Sequence, residues 1–328
     1  MLTARALRYA QRALLVDHPG VRSSHSTPTP RGGGIGIAAT VLIAAAVLWS
    51  LGHVDSRLGM PLLVGGLLVA GIGWIDDHRS VPAGVRAAVH VAAGIVLLSA
   101  YGWPSSIQLG FAQLSLGPLG PVFYLLLIVW LINLFNFMDG IDGIAASQAL
   151  LAAVIGSILM VMDAKIGLAV LGLTIAGSSL GLLFWNWPPA RVFMGDVGSG
   201  FLGFALAALA ISTDQHGSVP VLVWILLLSV FVFDATVTLL RRFVRRERWY
   251  DAHRAHAYQR LVIAGKSHLF VTSWSIVLSA VAGILAVAAS RWERLILPLL
   301  AAQMLLLAVL YLRIERLRPM SKETPRGL

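Results

Sequence analysis

Ten apolar runs divide the chain, at about residues 33–52, 59–75, 85–101, 120–137, 144–162, 166–185, 197–212, 219–240, 268–289 and 294–312. Each is close to the roughly 20 residues an α-helix needs to cross the hydrocarbon core of a bilayer. The runs at 85–101 and 197–212 are the weakest, being short or rich in glycine. The pattern predicts an all-α polytopic integral membrane protein of about ten transmembrane helices. It is read as a single domain over 1–328 in which 241–267 forms the longest polar loop.

Composition agrees. Of 328 residues, 58% are hydrophobic and 12% charged, with a mean hydropathy of +0.81; a soluble domain carries roughly twice that charge fraction. The absence of cysteine excludes disulfides, thiol nucleophiles and thiolate metal sites. Residues 1–16 mix Arg5, Arg8 and Arg12 with apolar residues and show no continuous core of a cleavable signal.

Charge then orients the runs. With the N-terminal tail on the cytoplasmic side, that side holds all 25 Lys and Arg residues except Arg57, Lys165, Arg291 and Arg294. This asymmetry accounts for the net charge of +10 without a nucleic-acid partner. On the same side fall Asp76, Asp77, Asp139, Asp142, Asp196, His253 and His256. A transporter needs polar groups near the midplane, reachable from both faces. Polar groups gathered at one surface instead suit an enzyme working at the cytosolic interface.

Five stretches carry the chemistry. In Asn133-Leu-Phe-Asn136-Phe-Met-Asp139-Gly-Ile-Asp142-Gly143 the first three polar residues recur every third position, so a continuing helix would present them on one face. Plain capping, with Gly140 and Gly143 making a turn, is the ordinary alternative. Asp76-Asp77 closes the second run; adjacent acids repel, which favours a shared cation or one shifted pKa over a merely solvated helix end. Residues 17–36 offer Arg22, His25 and Arg31 beside Gly32–Gly34, a combination suited to an anion or to lipid headgroups.

Asn186-Trp187-Pro188-Pro189-Ala190-Arg191-Val192-Phe193-Met194-Gly195-Asp196 precedes a glycine-rich helix start, where backbone amides and the helix dipole favour anions. Gly198-Ser-Gly200-Phe-Leu-Gly203 matches a dinucleotide fingerprint but lacks a βαβ setting, so close helix packing explains it better. In 241–267, His253-Arg254-Ala-His256-Ala-Tyr258-Gln259 has no third ligand suited to zinc. It fits a phosphorylated, hydrogen-bonding ligand better, with a basic lipid-facing loop as the alternative. Asp234 sits inside the eighth run and is read as a structural partner of Arg241 or Arg242. Carboxylates beside a glycine-rich, arginine-bearing surface suggest a divalent cation holding a diphosphate.

These motifs resemble the polyprenyl-phosphate N-acetylhexosamine-1-phosphate transferases, often called glycosyltransferase family 4. The resemblance rests on Pro28-Thr-Pro30-Arg31-Gly-Gly-Gly34, Asp76-Asp77, Asn136-Phe-Met-Asp139-Gly-Ile-Asp142-Gly, Phe193-Met-Gly-Asp196-Val-Gly-Ser and His253-Arg-Ala-His256, and runs from about residue 17 to 260. It implies attack by undecaprenyl phosphate on the sugar-linked phosphorus of a UDP-N-acetylhexosamine, with release of UMP. Carried over motif by motif, Asn136 and Asp196 become Mg²⁺ ligands, Mn²⁺ being the other candidate ion. Asp76, Asp77 and Asp139 become catalytic, the first two nearest the acceptor phosphate and Asp76 a candidate base. Arg31, Asn133, Asp142, Arg191, Phe193, His253, Arg254 and His256 become substrate contacts, with Asp142 toward the uridine and Phe193 stacking on uracil.

The expected partners are the donor, the lipid acceptor and the bilayer, with a homodimer left open. Members of this family usually have eleven helices, one of them ahead of Asp17; here only residues 1–16 stand there. The His253–Arg260 stretch resembles the branch acting on 6-deoxy sugars in O-antigen or capsule assembly and lacks the triple histidine of the peptidoglycan enzymes. Surface-polysaccharide initiation is therefore expected ahead of a peptidoglycan-type transferase, a lipid-linked-sugar flippase or a polyprenyl-diphosphate phosphatase.

Overall fold

The computed structural model describes residues 8, 15–17, 28–247 and 253–320. Every apolar run forms helix. These are α1 (Ile35–Ser50), α2 (Ser56–His78), α3 (Ala83–Ala100), α4 (Leu119–Met138), α5 (Ile144–Met162), α6 (Ile166–Asn186), α7 (Asp196–Gln215), α8 (Val221–Leu227) with α9 (Ser229–Val244), α11 (His268–Arg291) and α12 (Ile296–Leu317). A short α10 (Ala257–Ile263) lies inside the 241–267 segment, which is therefore partly helical rather than loop throughout. Among the described residues eight helices are long and apolar enough to cross a membrane, or nine if α8 and α9, bent by 82° at their junction, are counted as one span. The α1 helix has 16 residues, about 24 Å at 1.5 Å per residue, short of a full crossing. The protein is a multi-pass membrane protein.

Helix boundaries follow local chemistry. Asp55 accepts the amide of Leu58 at 3.1 Å to start α2, and Ser267 accepts that of Phe270 at 3.2 Å to start α11. Arg79 turns extended to end α2, and Pro82 precedes the first turn of α3. Two strand pairs supplement the helices: β1 (Val16–Asp17) with β2 (Thr29–Pro30), and β3 (Ser106–Gln108) with β4 (Gln113–Ser115), both antiparallel. The uncharged 102–118 segment thus holds a small hairpin that the apolar periodicity did not predict.

The seventh apolar run, weakest as a lipid-facing span, is the centre of the molecule. Of its most apolar window 94% is buried, against 22% for α12. A helix wrapped by protein needs small residues for close approach more than hydrophobicity for lipid. At Gly198 of α7 and Gly34 before α1 the backbones nearly touch: a Cβ on either would collide with the other's Cα. A Cβ on Gly203 would strike the carbonyl of Leu131 in α4. The packing role inferred for these glycines is the one they fill.

Candidate active site

The site forms where α2, α3, α4 and α7 bring their ends into one layer. Asp77 closes α2 and turns across to α7: its two carboxylate oxygens accept the backbone amides of Asp196 (2.9 Å) and Val197 (3.1 Å). It thereby satisfies the free amides that begin a helix, from a different helix. Arg31 donates from Nε to Asp77 at 2.8 Å and from Nη2 to Asp196. Burial alone would lower the Arg31 pKa, but Asp196 and Asp77 outweigh it and hold the guanidinium charged. Arg31 is itself positioned by a backbone bridge to Phe193 and by the amide of Phe193 donating to the Pro30 carbonyl at 2.8 Å.

Its sequence neighbour Asp76 has a separate set of partners. One oxygen accepts the amide of Val81 and the other a guanidinium N–H of Arg86, both at 2.6 Å. Arg86 also reaches Asp196 at 3.4 Å. Asn136 lies beside Asp196 and donates to Ser199 at 3.4 Å. Arg86, Asn133, Asn136 and Asp196 line one pocket together with His90, which sits one turn farther along α3.

Asp139 terminates α4 and leaves its helical path, with φ −86° and ψ +46°, so only Asn133 and Asn136 keep the shared helical face that the spacing suggested. Its half-buried carboxylate accepts no hydrogen bond from any described residue. Burial pushes its pKa well above the ordinary carboxylate value; Arg31 opposes this, while Asp196, Asp77 and Asp142 reinforce it.

The following turn is held from outside. Asp142 accepts the amide of Ala190 at 3.0 Å and pairs with His268 Nδ1 at 3.2 Å, while Thr272 donates to its carbonyl at 2.7 Å. Gly143, at φ +75°, donates to Asn186 Oδ1 at 2.9 Å, and Asn186 Nδ2 donates to the carbonyl of Val192. Asp142 and Asn186 therefore brace two loops against each other, and both oxygens of Asp142 are engaged within the protein. Arg191 is exposed at the rim and Phe193 is half-buried beside it.

The third loop reaches the same layer. Asp234 accepts the amides of Ala257 (2.8 Å) and Tyr258 (3.2 Å), fixing the start of α10, and the Thr238 hydroxyl at 3.1 Å, with His256 Nδ1 3.6 Å away; its partners are these groups and not Arg241 or Arg242. Tyr258 donates to the carbonyl of Phe137 at 2.9 Å, and a Cβ on Gly140 would collide with its hydroxyl. Rings of His253 and His256 stack 4.9 Å apart, and His256 packs on Phe137 at 6.4 Å. Arg254 lies within electrostatic reach of Tyr258. Arg22, His25, Trp249 and Asp251 fall outside the described residues, as does all of residues 1–16 except Arg8, Leu15 and Val16.

Sequence reasoning passed over Arg86, His90, Asn186 and His268 as site residues. Arg86 had a detectable signal, because a cation in the first turn of a helix opposes the dipole and calls for an anionic partner. His90, four residues on, shares its face.

A divalent cation in this layer would rest on its carboxylates. No three His, Asp or Glu among the described residues stand close enough to form a ready-made cage. Mg²⁺ does not require one, since it commonly takes one or two protein carboxylates and completes its shell with phosphate oxygens and water. Asp76, Asp77 and Asp196 pair with two guanidiniums, and Asp139 accepts no hydrogen bond from any described residue. The all-oxygen donor set and the surplus of negative charge fit a hard divalent ion.

Comparison with known proteins identifies the family. Residues 59–214 match the family model described as glycosyl transferase family 4. The chain is 31% identical over 295 residues to the decaprenyl-phosphate N-acetylglucosaminephosphotransferase of Mycobacterium leprae, covering 79% of this chain and 73% of that protein. It is 27% identical over 278 residues to the probable undecaprenyl-phosphate N-acetylglucosaminyl 1-phosphate transferase of Bacillus subtilis, covering 82% and 75%. Against the undecaprenyl-phosphate alpha-N-acetylglucosaminyl 1-phosphate transferase of Escherichia coli K12 it is 29% identical over 319 residues, covering 90% and 84%. With the family model matched over residues 59–214 and a relative 31% identical across 79% of this chain, the chain belongs to glycosyl transferase family 4.

Proposed function

We propose that the protein transfers an N-acetylhexosamine 1-phosphate from a UDP-sugar to undecaprenyl phosphate, with Mg²⁺ or Mn²⁺, at the cytosolic face of a bacterial cytoplasmic membrane. The observation that carries this reading is the convergence of Arg31, Asp76, Asp77, Arg86, Asn136, Asp139 and Asp196 in one layer. They come from five separate stretches, and the layer lies on the membrane side where nearly all Lys and Arg residues fall.

In the proposed reaction an oxygen of the acceptor phosphate attacks the sugar-bearing phosphorus. That P–O bond forms while the bond to the bridging oxygen of UMP breaks, and UMP departs with the electron pair. A phosphate monoester near pH 7 is largely dianionic, so the attack needs little base catalysis. Phosphoryl transfer of this kind depends on positioning and charge neutralisation. Arg31 and Arg86 supply fixed positive charge, and Asp77 and Asp76 orient them. A proton brought in on a monoprotonated acceptor would pass to Asp76. Asp196 and Asn136 would hold the cation with Asp139 facing it. When bound, the ion would neutralise charge on the diphosphate oxygens.

The 253–256 segment, packed on Phe137, is the proposed sugar and diphosphate contact, with Arg191 and Phe193 toward the nucleotide. The relatives carry N-acetylglucosaminyl names, which puts UDP-N-acetylglucosamine first among donors. The 6-deoxy analogues follow from the His253–His256 motif. Either product would begin a surface polysaccharide such as O-antigen. The test is purified protein with Mg²⁺, undecaprenyl phosphate and a UDP-HexNAc panel. UMP release dependent on the lipid supports the reading. Release of inorganic phosphate without nucleotide dependence, or sugar-lipid movement across vesicles without UMP, would overturn it in favour of a phosphatase or a flippase.

A further inference from the structure

The pocket between α2, α3, α4 and α7 extends from Asp196 toward the membrane interior. Its polar lining is Arg86, His90, Asn133, Asn136 and Asp196, and Val69, Ile72, Ile132 and Phe137 make it apolar elsewhere. His90 belongs to none of the motifs above. It is 8% exposed, and a histidine buried in a membrane helix calls for a partner or a role.

The hydrogen-bond network assigns the proton to one ring nitrogen. Asn133 Nδ2 donates to the Val129 carbonyl at 2.7 Å, which identifies that atom as the amide nitrogen. The same nitrogen lies 3.3 Å from His90 Nδ1. Two donors cannot face each other, so Nδ1 is the acceptor and the proton resides on Nε2. Nε2 bonds no described residue, in a side chain that lines the pocket. The ring is thus a neutral N–H donor held ready beside Arg86.

We infer that His90 Nε2–H binds the phosphate of the isoprenoid acceptor in this pocket, alongside Arg86, and is a specificity-determining residue for the lipid substrate. This rests on the transferase reading and names the acceptor's side of the site. The ligand class follows from the lining: a cation and a neutral donor at the head, aliphatic and aromatic walls elsewhere, on the bilayer side of Asp196. A nucleotide sugar arrives from water and presents polar groups along its whole length, whereas a lipid phosphate lies along the membrane and presents one charged head on an apolar chain. Asn133 acts through His90, by fixing its tautomer, and is a positioning residue.

Two variants of the full chain in nanodiscs test this. His90→Gln keeps an N–H donor, and His90→Leu removes it. His90→Leu should raise the KM for undecaprenyl phosphate about tenfold or more, the value of one hydrogen bond to a charged group, with the KM for the UDP-sugar unchanged within about twofold. His90→Gln should restore the acceptor KM to within about threefold of the parent. Thermal stabilisation by undecaprenyl phosphate in EDTA without nucleotide sugar should persist in the parent and His90→Gln and be lost in His90→Leu. Equal rises in both KM values, an unchanged acceptor KM in His90→Leu, or a His90→Gln variant as impaired as His90→Leu would overturn the assignment. If the parent releases no UMP with any donor, the reaction reading fails by itself, and lipid stabilisation of the three proteins still decides the role of His90.

Discussion

The α7 helix carries an aspartate at each end, and the two have opposite surroundings. At the far end Asp214 accepts Tyr124 Oη–H at 2.7 Å, Gln215 Nε2–H at 2.9 Å and the amide of Val221 at 2.9 Å. Every partner is a neutral donor, and together they fix the start of α8. At the near end Asp196 meets Arg31, Arg86, Asn136 and the carboxylates of Asp76, Asp77 and Asp139. An acid that only holds a fold can be satisfied by hydrogen bonds from uncharged groups. An acid crowded by other acids and countered by guanidiniums is arranged to handle further charge. The same helix thus separates a structural terminus from a chemical one.

Breaking the near end should cost most. Asp139→Asn is expected to lower UMP release by about a thousandfold, the scale of losing one charged group from a preorganised site. The same change should stabilise the metal-free protein. The raised Asp139 pKa means its favourable, protonated form is complete below about pH 4, the unfolded value, and is lost as pH rises through the folded value. Since the asparagine cannot ionise, its melting temperature in EDTA should exceed the parent's at pH 8, with the gap closing toward pH 4. A variant no more stable than the parent at pH 8 would contradict the crowding argument.

Arg86→Ala should reduce turnover by about a hundredfold or more, since it removes a charge-assisted contact to Asp76 and Asp196; initial rates at saturating donor measure it. Asp142→Asn leaves Asp76, Asp77, Asp196 and their two arginines in place and loosens the brace to Ala190 and His268. Its expected cost is about 1–3 kcal/mol of stability and a fall in kcat/KM of about tenfold, read from denaturation and steady-state kinetics together. Asp214→Ala should do least to catalysis. Its melting temperature should drop as α8 loses its anchor, while kcat/KM per folded molecule stays within about twofold. A catalytic loss in Asp214→Ala comparable to that of Asp139→Asn would erase the distinction between the two ends.

Much of this was legible in the sequence. Every apolar run gave helix, eight of them long enough to cross a membrane, because backbone groups in lipid must be satisfied within their own helix. The sided distribution of Lys and Arg located the chemical layer. The pairing inside that layer was not legible. Asp76-Asp77 reads as one unit, yet the chain directs Asp76 to Arg86 and Asp77 to the amides of α7. Sequence spacing reports neighbours on one helix; it says nothing of which helix lies opposite. For the same reason the spacing did not reveal that Asp142 reaches Ala190 and His268, the latter 126 residues away in the chain. The α8–α9 bend was equally hidden, since Leu227-Leu228-Ser229 contains neither Pro nor Gly to announce it.

The central claim is that charge at the near end of α7 is chemical and charge at its far end is structural. A Mg²⁺ titration of UMP release from UDP-N-acetylglucosamine and undecaprenyl phosphate, run on Asp196→Asn and Asp214→Asn side by side, tests it most directly. The account predicts no metal-dependent release from Asp196→Asn in a protein that remains folded, and a near-parental titration curve from Asp214→Asn. Parental Mg²⁺-dependent release by Asp196→Asn would contradict it.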